Sequence, residues 1–289
     1  MKNWSLGFII VFSLFMVACD KDSDTTADPI DEPVSNKQKA TDLLMSLASG
    51  DTAIINKYIS ANNYTQHNPA FADGRQSLID AVLAGTFNNM SVDIKRVFVD
   101  ANLVALHSAY LINGAPMVGF DVFRFEDGLI VEHWDNLQAE EAPNASGHSM
   151  LDGPTEIMDA AQTEANRTIA GNFVKDVMID TNYALMADFL LDGAYTQHNP
   201  MMKDSLSGMV EMMEQLREQG ITYKYETLHQ TVAEGNFVLT ISEGAFGDPA
   251  QPTAFYDLFR LENGKIVEHW DVMQVIPPAD DWANDNGKF

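Results

Sequence analysis

Two histidine-bearing phrases occur twice, in the same order, in this chain of 289 residues. An aspartate precedes each copy of the second phrase on the same predicted strand pair, Asp121 in the first half and Asp257 in the second. Carboxylates and imidazoles are common general acids and bases near neutral pH, so the repeated residues are candidates for acid/base chemistry. The phrases are YTQHNP at residues 64–69 and 195–200, and IVEHWD at residues 130–135 and 266–271.

Asp121 stands in an aromatic setting that suits a catalytic carboxylate. It is close in sequence to Phe120, Phe123 and Phe125, and a strand pairing brings Trp134 near it. Burial among such side chains disfavours the charged carboxylate and raises its pKa toward neutrality. The alternative is that Asp121 is a strand residue held by a backbone or side-chain partner.

The histidines of both phrases also have two interpretations. His67 and His198 either line the mouth of a cavity or make hydrogen bonds that hold the loop before a proline, which restricts the residue preceding it. For His133 and His269, between acidic and aromatic neighbours, a structural hydrogen bond is the favoured interpretation.

The spacing of the phrases indicates a duplicated domain. The two offsets are similar, and each half has helical, Ala/Leu/Met-rich sequence first and strand-like runs afterwards. An offset shared by several motifs is typical of an internal repeat. Helices followed by consecutive antiparallel strands predict an α+β domain, with helices packed against one face of a curved sheet.

The last two strands of each half have a predicted register. Asp127-Gly128 and Asn263-Gly264 lie between apolar runs and favour two-residue hairpin turns. Such a turn places Asp121 opposite Trp134, on one face with Phe123 and Glu132. His133 and Asp135 then share the other face.

The chain divides into six predicted segments. Two are folded domains, and the linker between them has the Pro, Gly and Ser expected of a connecting segment. The segments are a signal peptide (1–18), an acidic tether (19–36), the first domain (37–140), a linker (141–158), the second domain (159–278) and an acidic tail (279–289).

The N-terminus predicts export. Lys2 precedes an apolar run that ends at Ala18, as in a secretory signal. Cys19 directly after it resembles the lipobox of bacterial lipoproteins, which implies lipidation of Cys19 and a lipid-anchored protein of the bacterial cell envelope. An uncleaved anchor, or an ordinary signal with a chance cysteine, is the alternative. Cys19 is the only cysteine, so no intramolecular disulfide exists.

Composition excludes some classes of partner. The formal net charge of −25 argues against nucleic acid, since phosphate binding needs Lys and Arg. It also argues against adsorption to an anionic membrane through surface charge. Hydrophobic residues make up 46% of the chain, which suits packed cores.

The combination of QHNP, a strand aspartate in FDVFR and DGLIVEHWD resembles the SnoaL-like polyketide cyclase family of the nuclear-transport-factor-like superfamily. The resemblance covers residues 37–140 and 160–276. It implies two cone-shaped domains, each with an apolar pocket, packed as an internal pair in place of a homodimer. It also implies that Asp121 and Asp257 act as acid/base in an aldol ring closure, assisted by His107. The second half has Ile241 or Glu243 at the position of His107.

No cofactor and no metal are expected. A metal set of His67, His133 and Asp135 is chemically reasonable, but no pair of histidines has ligand spacing in the sequence. A small apolar ligand or substrate is the expected partner, and its pocket is predicted from eight residues. These are Tyr64, His67, His133 and Trp134 in the first domain, and Tyr195, His198, His269 and Trp270 in the second.

Two functions follow from these features. The first is a cofactor-independent cyclase or isomerase that acts on a small apolar carbonyl compound. The second is a non-catalytic envelope protein that binds a small apolar ligand or a partner protein in the same cavities, since one fold hosts many unrelated functions.

Overall fold

The computed structural model describes Met1 and residues 34–191 and 193–289. The predicted signal peptide, the lipidation site at Cys19 and nearly all of the tether lie outside the described residues. Within the described ranges, no helix is both long enough and apolar enough to cross a membrane. Residues Val34–Phe289 form one unit by their internal contacts.

From residue 34 onward, the first half contains three α-helices and a five-stranded sheet. Strand β1 pairs in parallel with β5, and the remaining pairs are antiparallel, so the order across the sheet is β1-β5-β4-β3-β2. The elements are α1 Asn36–Ser46, α2 Ala53–Tyr58, β1 Thr65–Gln66, α3 Arg75–Leu83, β2 Met90–Asp100, β3 Leu103–Ile112, β4 Ala115–Glu126 and β5 Leu129–Ala139.

The second half repeats this order, and its sheet runs β6-β10-β9-β8-β7. Its first helix continues as a π-helix, Phe173–Ile179. The fold is therefore α+β, with two tandem cone-shaped domains, as the sequence predicts. The other elements are α4 Thr163–Asn172, α5 Met186–Phe189, β6 Thr196–Gln197, α6 Leu206–Glu218, β7 Thr222–Glu234, β8 Phe237–Gly247, β9 Pro252–Glu262 and β10 Lys265–Val275.

The β4–β5 turn has two residues, as predicted, but the register beyond it differs from the prediction. Asp127 and Gly128 both have positive φ, which a tight hairpin turn requires. The register shifts after Phe125↔Ile130, because Val131 is an extra residue in β5 and forms a β-bulge. Asp121 consequently lies opposite Asp135 rather than Trp134.

The bulge exchanges the two faces of β5. His133 and Asp135 share a face with Asp121 and Phe123, while Glu132 and Trp134 turn to the opposite face. The predicted grouping of Asp121 with Trp134 is therefore wrong. The same irregularity occurs in the second domain between Ile266 and Glu268, and there it places His269 and Asp271 beside Asp257.

Three apolar cores stabilise the part of the chain that the structure describes. In each domain the helices cover one face of the sheet and form a core with it. The other faces of the two sheets pack on each other through a third core, to which Phe120 and Trp134 contribute from the first domain and Tyr256 and Trp270 from the second. Each sheet thus packs against apolar groups on both of its faces.

Candidate functional site

The first domain encloses a chamber of about 340 Å³ between its helices and its sheet. Its walls are largely apolar, with Leu43 and Leu78 from the helices and Phe123 and Leu137 from the sheet. Polar side chains converge on one part of the wall. They are Tyr64, Gln66, Asn68, Asp121, His133, Asp135 and Tyr110, with Gln274 from the second domain.

Asp121 and His133 form a hydrogen-bonded pair at this wall. The Nε2 atom of His133 lies 3.1 Å from Oδ1 of Asp121, and its Nδ1 lies 3.0 Å from Oε1 of Gln66. That amide oxygen also accepts the backbone N–H of Asn68, so it is the acceptor and Nδ1 must donate. A proton is therefore also needed between Nε2 and Asp121, carried either by the imidazole or by the carboxyl group.

Both oxygens of Asp121 have partners, because the Tyr110 hydroxyl donates to Oδ2. Burial, and then the charge of Asp121, hold the pKa of Tyr110 well above its ordinary value, so this hydroxyl keeps its proton. Tyr110, Asp121 and His133 thus form one hydrogen-bonded chain that lines the chamber, with one proton between His133 and Asp121.

Asp135 is the second carboxylate of the chamber. Its Oδ2 accepts a hydrogen bond of 2.6 Å from Nδ2 of Asn68. Its Oδ1 is buried and makes no hydrogen bond to any group in the described part of the chain. A buried carboxylate oxygen without a hydrogen bond has unused acceptor capacity, which a bound ligand can take up.

His107 does not belong to this site, contrary to the prediction. His107 pairs with Phe120 in the β3–β4 ladder, and the neighbouring pair is Leu106 with Asp121. Because side chains alternate between the two faces of a sheet, His107 points to the face opposite Asp121. There it stacks on Phe120 at 4.3 Å and accepts a hydrogen bond of 3.1 Å from Arg96. Burial, and then the Arg96 charge, hold the pKa of His107 well below its ordinary value.

The predicted pocket residues also divide between the two faces. Tyr64 and His133 line the chamber, whereas His67 and Trp134 stack on each other at 4.8 Å on the opposite face. His67 is held by Glu132 and by the carbonyl of Gly287, both at 2.9 Å. His67 and Trp134 are therefore structural, and their prediction as pocket residues is wrong.

The second domain follows the same division. Tyr195 and His269 line its small cavity. His198 and Trp270 lie on the opposite face, stacked at 4.5 Å. The His198 ring nitrogens contact the Ser149 carbonyl at 2.7 Å and Glu268 at 2.9 Å.

The second domain keeps the polar chain but not the chamber. The ring nitrogens of His269 lie 2.9 Å from Oε1 of Gln197 and 3.0 Å from Oδ1 of Asp257. The Tyr225 hydroxyl donates a hydrogen bond of 3.0 Å to Asp257. The remaining cavity measures only about 10 Å³. This volume is about what a single water molecule needs, so no substrate-sized molecule fits.

Aromatic side chains fill the second chamber. Phe255 stands two residues before Asp257, where the first domain has Gly119 two residues before Asp121. The Phe255 ring stacks on Tyr225 at 4.3 Å, and Tyr223 packs against both rings. The predicted second catalytic aspartate, Asp257, is therefore enclosed by packed side chains.

Among the described residues, three clusters of side chains have the composition of metal ligands. Asp121, His133 and Asp135 offer ligand atoms within 4.8 Å of one another. Both nitrogens of His133 already have protein partners, so metal binding would require these hydrogen bonds to break. The predicted set with His67 is not assembled, because His67 lies on the other face. The other clusters are Asp257, His269 and Asp271, and His148, Asp152 and His198.

Gln66, Tyr110 and Asp135 are site residues that sequence reasoning did not assign to the pocket. Gln66 and Asp135 lie within the repeated phrases, and that repetition was a usable signal. No repetition marked Tyr110, because in the second domain the corresponding hydroxyl comes from Tyr225, which lies on a different strand.

The topology and the enclosed polar chain define the first domain as a nuclear-transport-factor-like cone. Its residues 41–133 match the family model described as SnoaL-like domain. The search of curated proteins finds no match.

Several solved structures are similar to about a third of the chain. TsrD from Streptomyces laurentii has 20% identity and a TM-score of 0.30, covering 35% of this chain and 86% of its own. An NTF2-like protein of unknown function from Cytophaga hutchinsonii has 12% identity and a TM-score of 0.33, covering 38% and 95%. A hypothetical protein with a ketosteroid isomerase-like fold from Catenulispora acidiphila, in complex with trimethylamine, has 18% identity and a TM-score of 0.30, covering 35% of this chain and 85% of its own.

Proposed function

We propose that the first domain binds a small apolar carbonyl compound and catalyses proton transfer on it without a cofactor, in an aldol-type cyclisation or an isomerisation. The observation that carries this proposal is the chain of Tyr110, Asp121 and His133 at the wall of an apolar chamber of about 340 Å³. General acid/base catalysis needs a proton-accepting and a proton-donating group within reach of one substrate, and this chain supplies both.

The resting hydrogen bonds suggest an order of events. When a substrate carbonyl enters, the Tyr110 hydroxyl turns from Asp121 to the carbonyl oxygen. This movement frees Oδ2 of Asp121 to accept a proton from the adjacent carbon, while His133 Nε2–H stays on Oδ1. Negative charge that develops on the substrate oxygen is then stabilised by the Tyr110 hydroxyl. Return of the proton from Asp121 to another carbon completes an isomerisation. In a ring closure the enolate carbon attacks a second carbonyl, and the oxygen of that carbonyl takes the proton from Asp121.

Deuterium exchange into 2-tetralone tests this proposal without knowledge of the natural substrate. Its protons next to the carbonyl exchange with D₂O only through the enolate, and proton NMR follows their loss. We expect the protein to accelerate exchange above the buffer rate and Asp121→Asn to abolish the acceleration. Asp257→Asn is the matched control, because the same change in the filled chamber should leave the rate intact. An unchanged rate in Asp121→Asn would exclude Asp121 as the base.

A non-catalytic function is the second candidate, and one observation favours it. Both oxygens of Asp121 are already hydrogen-bonded to protein groups, as in a carboxylate whose task is to shape a binding wall. In that case 2-tetralone should bind to the chamber with no acceleration of exchange. Binding measured by calorimetry alongside the exchange rate separates the two functions.

The location of the protein is a further part of the proposal. The apolar N-terminal run followed by Cys19 supports a lipoprotein of the bacterial cell envelope, with the domains tethered to a membrane through lipid on Cys19. Metabolic labelling with an alkyne fatty acid should mark the wild-type protein and not Cys19→Ser. Equal labelling of both would exclude Cys19 as the lipidated residue.

The pairing of two domains in one chain, in place of a homodimer, belongs to the same proposal. Its support is the apolar core between the two sheets. Polar groups also cross this boundary reciprocally, because Gln138 accepts the backbone N–H of Met273 at 2.8 Å and Gln274 accepts that of Leu137 at 3.4 Å.

A further inference from the structure

The residues that follow the second domain return to the site of the first. We define Trp282–Phe289 as the C-terminal segment. It lies along the loop that carries the first HNP phrase and is held there by hydrogen bonds to backbone and side-chain groups. These join Ala283 to Pro69, Asn284 to Asn68 and Phe71, Asn286 to Gln66 and Asp73, and His67 to Gly287, at distances from 2.6 to 2.9 Å.

This segment carries Lys288 into the wall behind the chamber. The Lys288 side chain is 2% exposed. Its ammonium group donates to the backbone carbonyl of Asp135 at 2.6 Å and to Oε1 of Gln274 at 3.1 Å. The same nitrogen lies 3.6 Å from Oδ1 of Asp135, the carboxylate oxygen that makes no hydrogen bond. Gln274 itself lines the chamber.

The second domain provides a natural comparison. The linker that follows the first sheet lies along the second HNP loop in the same way, with Asn144 donating to Gln197 at 2.6 Å and Ser149 bonded to His198. In the described part of the chain, Asp271, the counterpart of Asp135, has no ion pair with a lysine or arginine. Burial raises the pKa of Asp271 to about 6, with the His269 charge opposing this shift and the Asp257 charge adding to it.

We propose that the second domain and the C-terminal segment complete the site of the first domain. Lys288 is a positioning residue that keeps Asp135 charged beside Asp121, and Gln274 contacts the bound molecule. The role in turnover rests on the proposed function of the chamber, whereas the effect of Lys288 on Asp135 does not. The second domain has thus lost its own chamber and serves the chamber of its neighbour.

The physical reason is the crowding of acidic groups. Two carboxylates a few ångströms apart in a buried site cannot both ionise easily, and a cation next to one of them favours its charged form. Lys288 is the cation placed to do this. The titratable and charged groups that face Asp135 are Tyr64, Tyr110, Asp121, His133, Tyr256 and Lys288.

Titration of the aspartate carboxyl carbons by NMR tests the inference on the full chain. In Lys288→Met the Asp135 signal should titrate at a pH at least about one unit higher than in the wild type, since the favourable charge is gone. Lys288→Arg keeps a cation and should restore most of the difference. Asp271, observed in the same spectra, is the internal control and should titrate unchanged.

A second variant separates the charge from the seating of the C-terminal segment. Lys288→Gln keeps a hydrogen-bond donor for the Asp135 carbonyl, and the amide signals of Ala283 and Asn286 report whether the segment stays in place. A shift of the Asp135 titration in both neutral variants, with the segment seated, supports the inference. An unchanged titration in either seated variant overturns it.

The exchange assay then distinguishes this inference from the function. If the wild type accelerates 2-tetralone exchange, the pH at which the rate rises should move upward in Lys288→Met, because the lost cation also favours the charged form of the base Asp121. If the wild type does not accelerate exchange, the proposed catalysis fails while the titration still decides the role of Lys288. A rate profile that stays in place while the titration moves would overturn the link from Lys288 to turnover.

Discussion

Replacing Asp271 by asparagine should stabilise the protein, and the gain should grow with pH. The buried Asp271 has a pKa near 6 in the folded chain and 3.8 without structure. Since the folded-state value is raised, the acid favours folding while it is protonated, and this stability is lost as the pH rises from 3.8 toward 6. The difference of about 2 pKa units corresponds to about 3 kcal/mol.

Asparagine removes this penalty because it is never charged, and its side chain can still accept the hydrogen bond that Asn199 donates to Asp271. The expected gain in the free energy of unfolding is about 1.6 kcal/mol at about pH 5 and about 3 kcal/mol at about pH 7.5. Urea denaturation followed by intrinsic fluorescence at both pH values measures it, above the isoelectric point of about 4.3.

Asp188→Asn is the control, because Asp188 is an exposed residue in α5 and its replacement should have little effect at either pH. A gain that does not change with pH, or a loss of stability that grows with pH, would refute the reasoning. Either result would mean that a group other than His269 compensates the Asp271 charge.

Two further changes test the core between the sheets and the open chamber. Tyr256→Phe should leave the free energy of unfolding unchanged or raise it by about 1 kcal/mol, as measured by urea denaturation. The reason is that the Tyr256 hydroxyl is buried and has no hydrogen bond among the residues described. A clear loss of stability would reveal a missed partner. Ile112→Trp should abolish the binding of 2-tetralone measured by calorimetry, because the larger side chain fills the chamber that Ile112 lines. Ile112→Val is the control and should still bind. Equal binding by both variants would place the ligand elsewhere.

The duplication and the fold class could be predicted from the sequence because the repeated phrases do structural work in both domains. Gln66 and Gln197 orient the chamber histidines, while His67 and His198 hold the segment that follows the other domain's sheet. Residues that make these hydrogen bonds are therefore the same in both copies of the repeat. The two-residue turn at Asp127-Gly128 was predictable for a similar reason, since its positive φ values restrict the residue types.

The partner of Asp121 could not be predicted in the same way. Val131 and Val267 form the bulges that exchange the faces of β5 and β10, and valine carries no sign of a bulge. One extra residue in β5 places His133 on the same face as Asp121 and Trp134 on the opposite face. The resemblance favoured His107, which strand alternation places on the opposite face.

The difference between the two chambers and the docking of Lys288 also escaped prediction. Gly119 and Phe255 are visible in the sequence, but their consequence appears only when the strands are aligned and the facing rings are known. Lys288 lies 153 residues from Asp135, and contacts at such separation leave no local pattern. Both features depend on tertiary packing.

Methionine methyl NMR tests most directly whether only the first chamber receives a ligand. Met90 lines the first chamber, and Met202 and Met209 line the small cavity of the second domain. In a titration with 2-tetralone, the Met90 signal should shift and saturate at one equivalent while the Met202 and Met209 signals stay in place. Shifts at Met202 and Met209, or an unmoved Met90, would contradict the account.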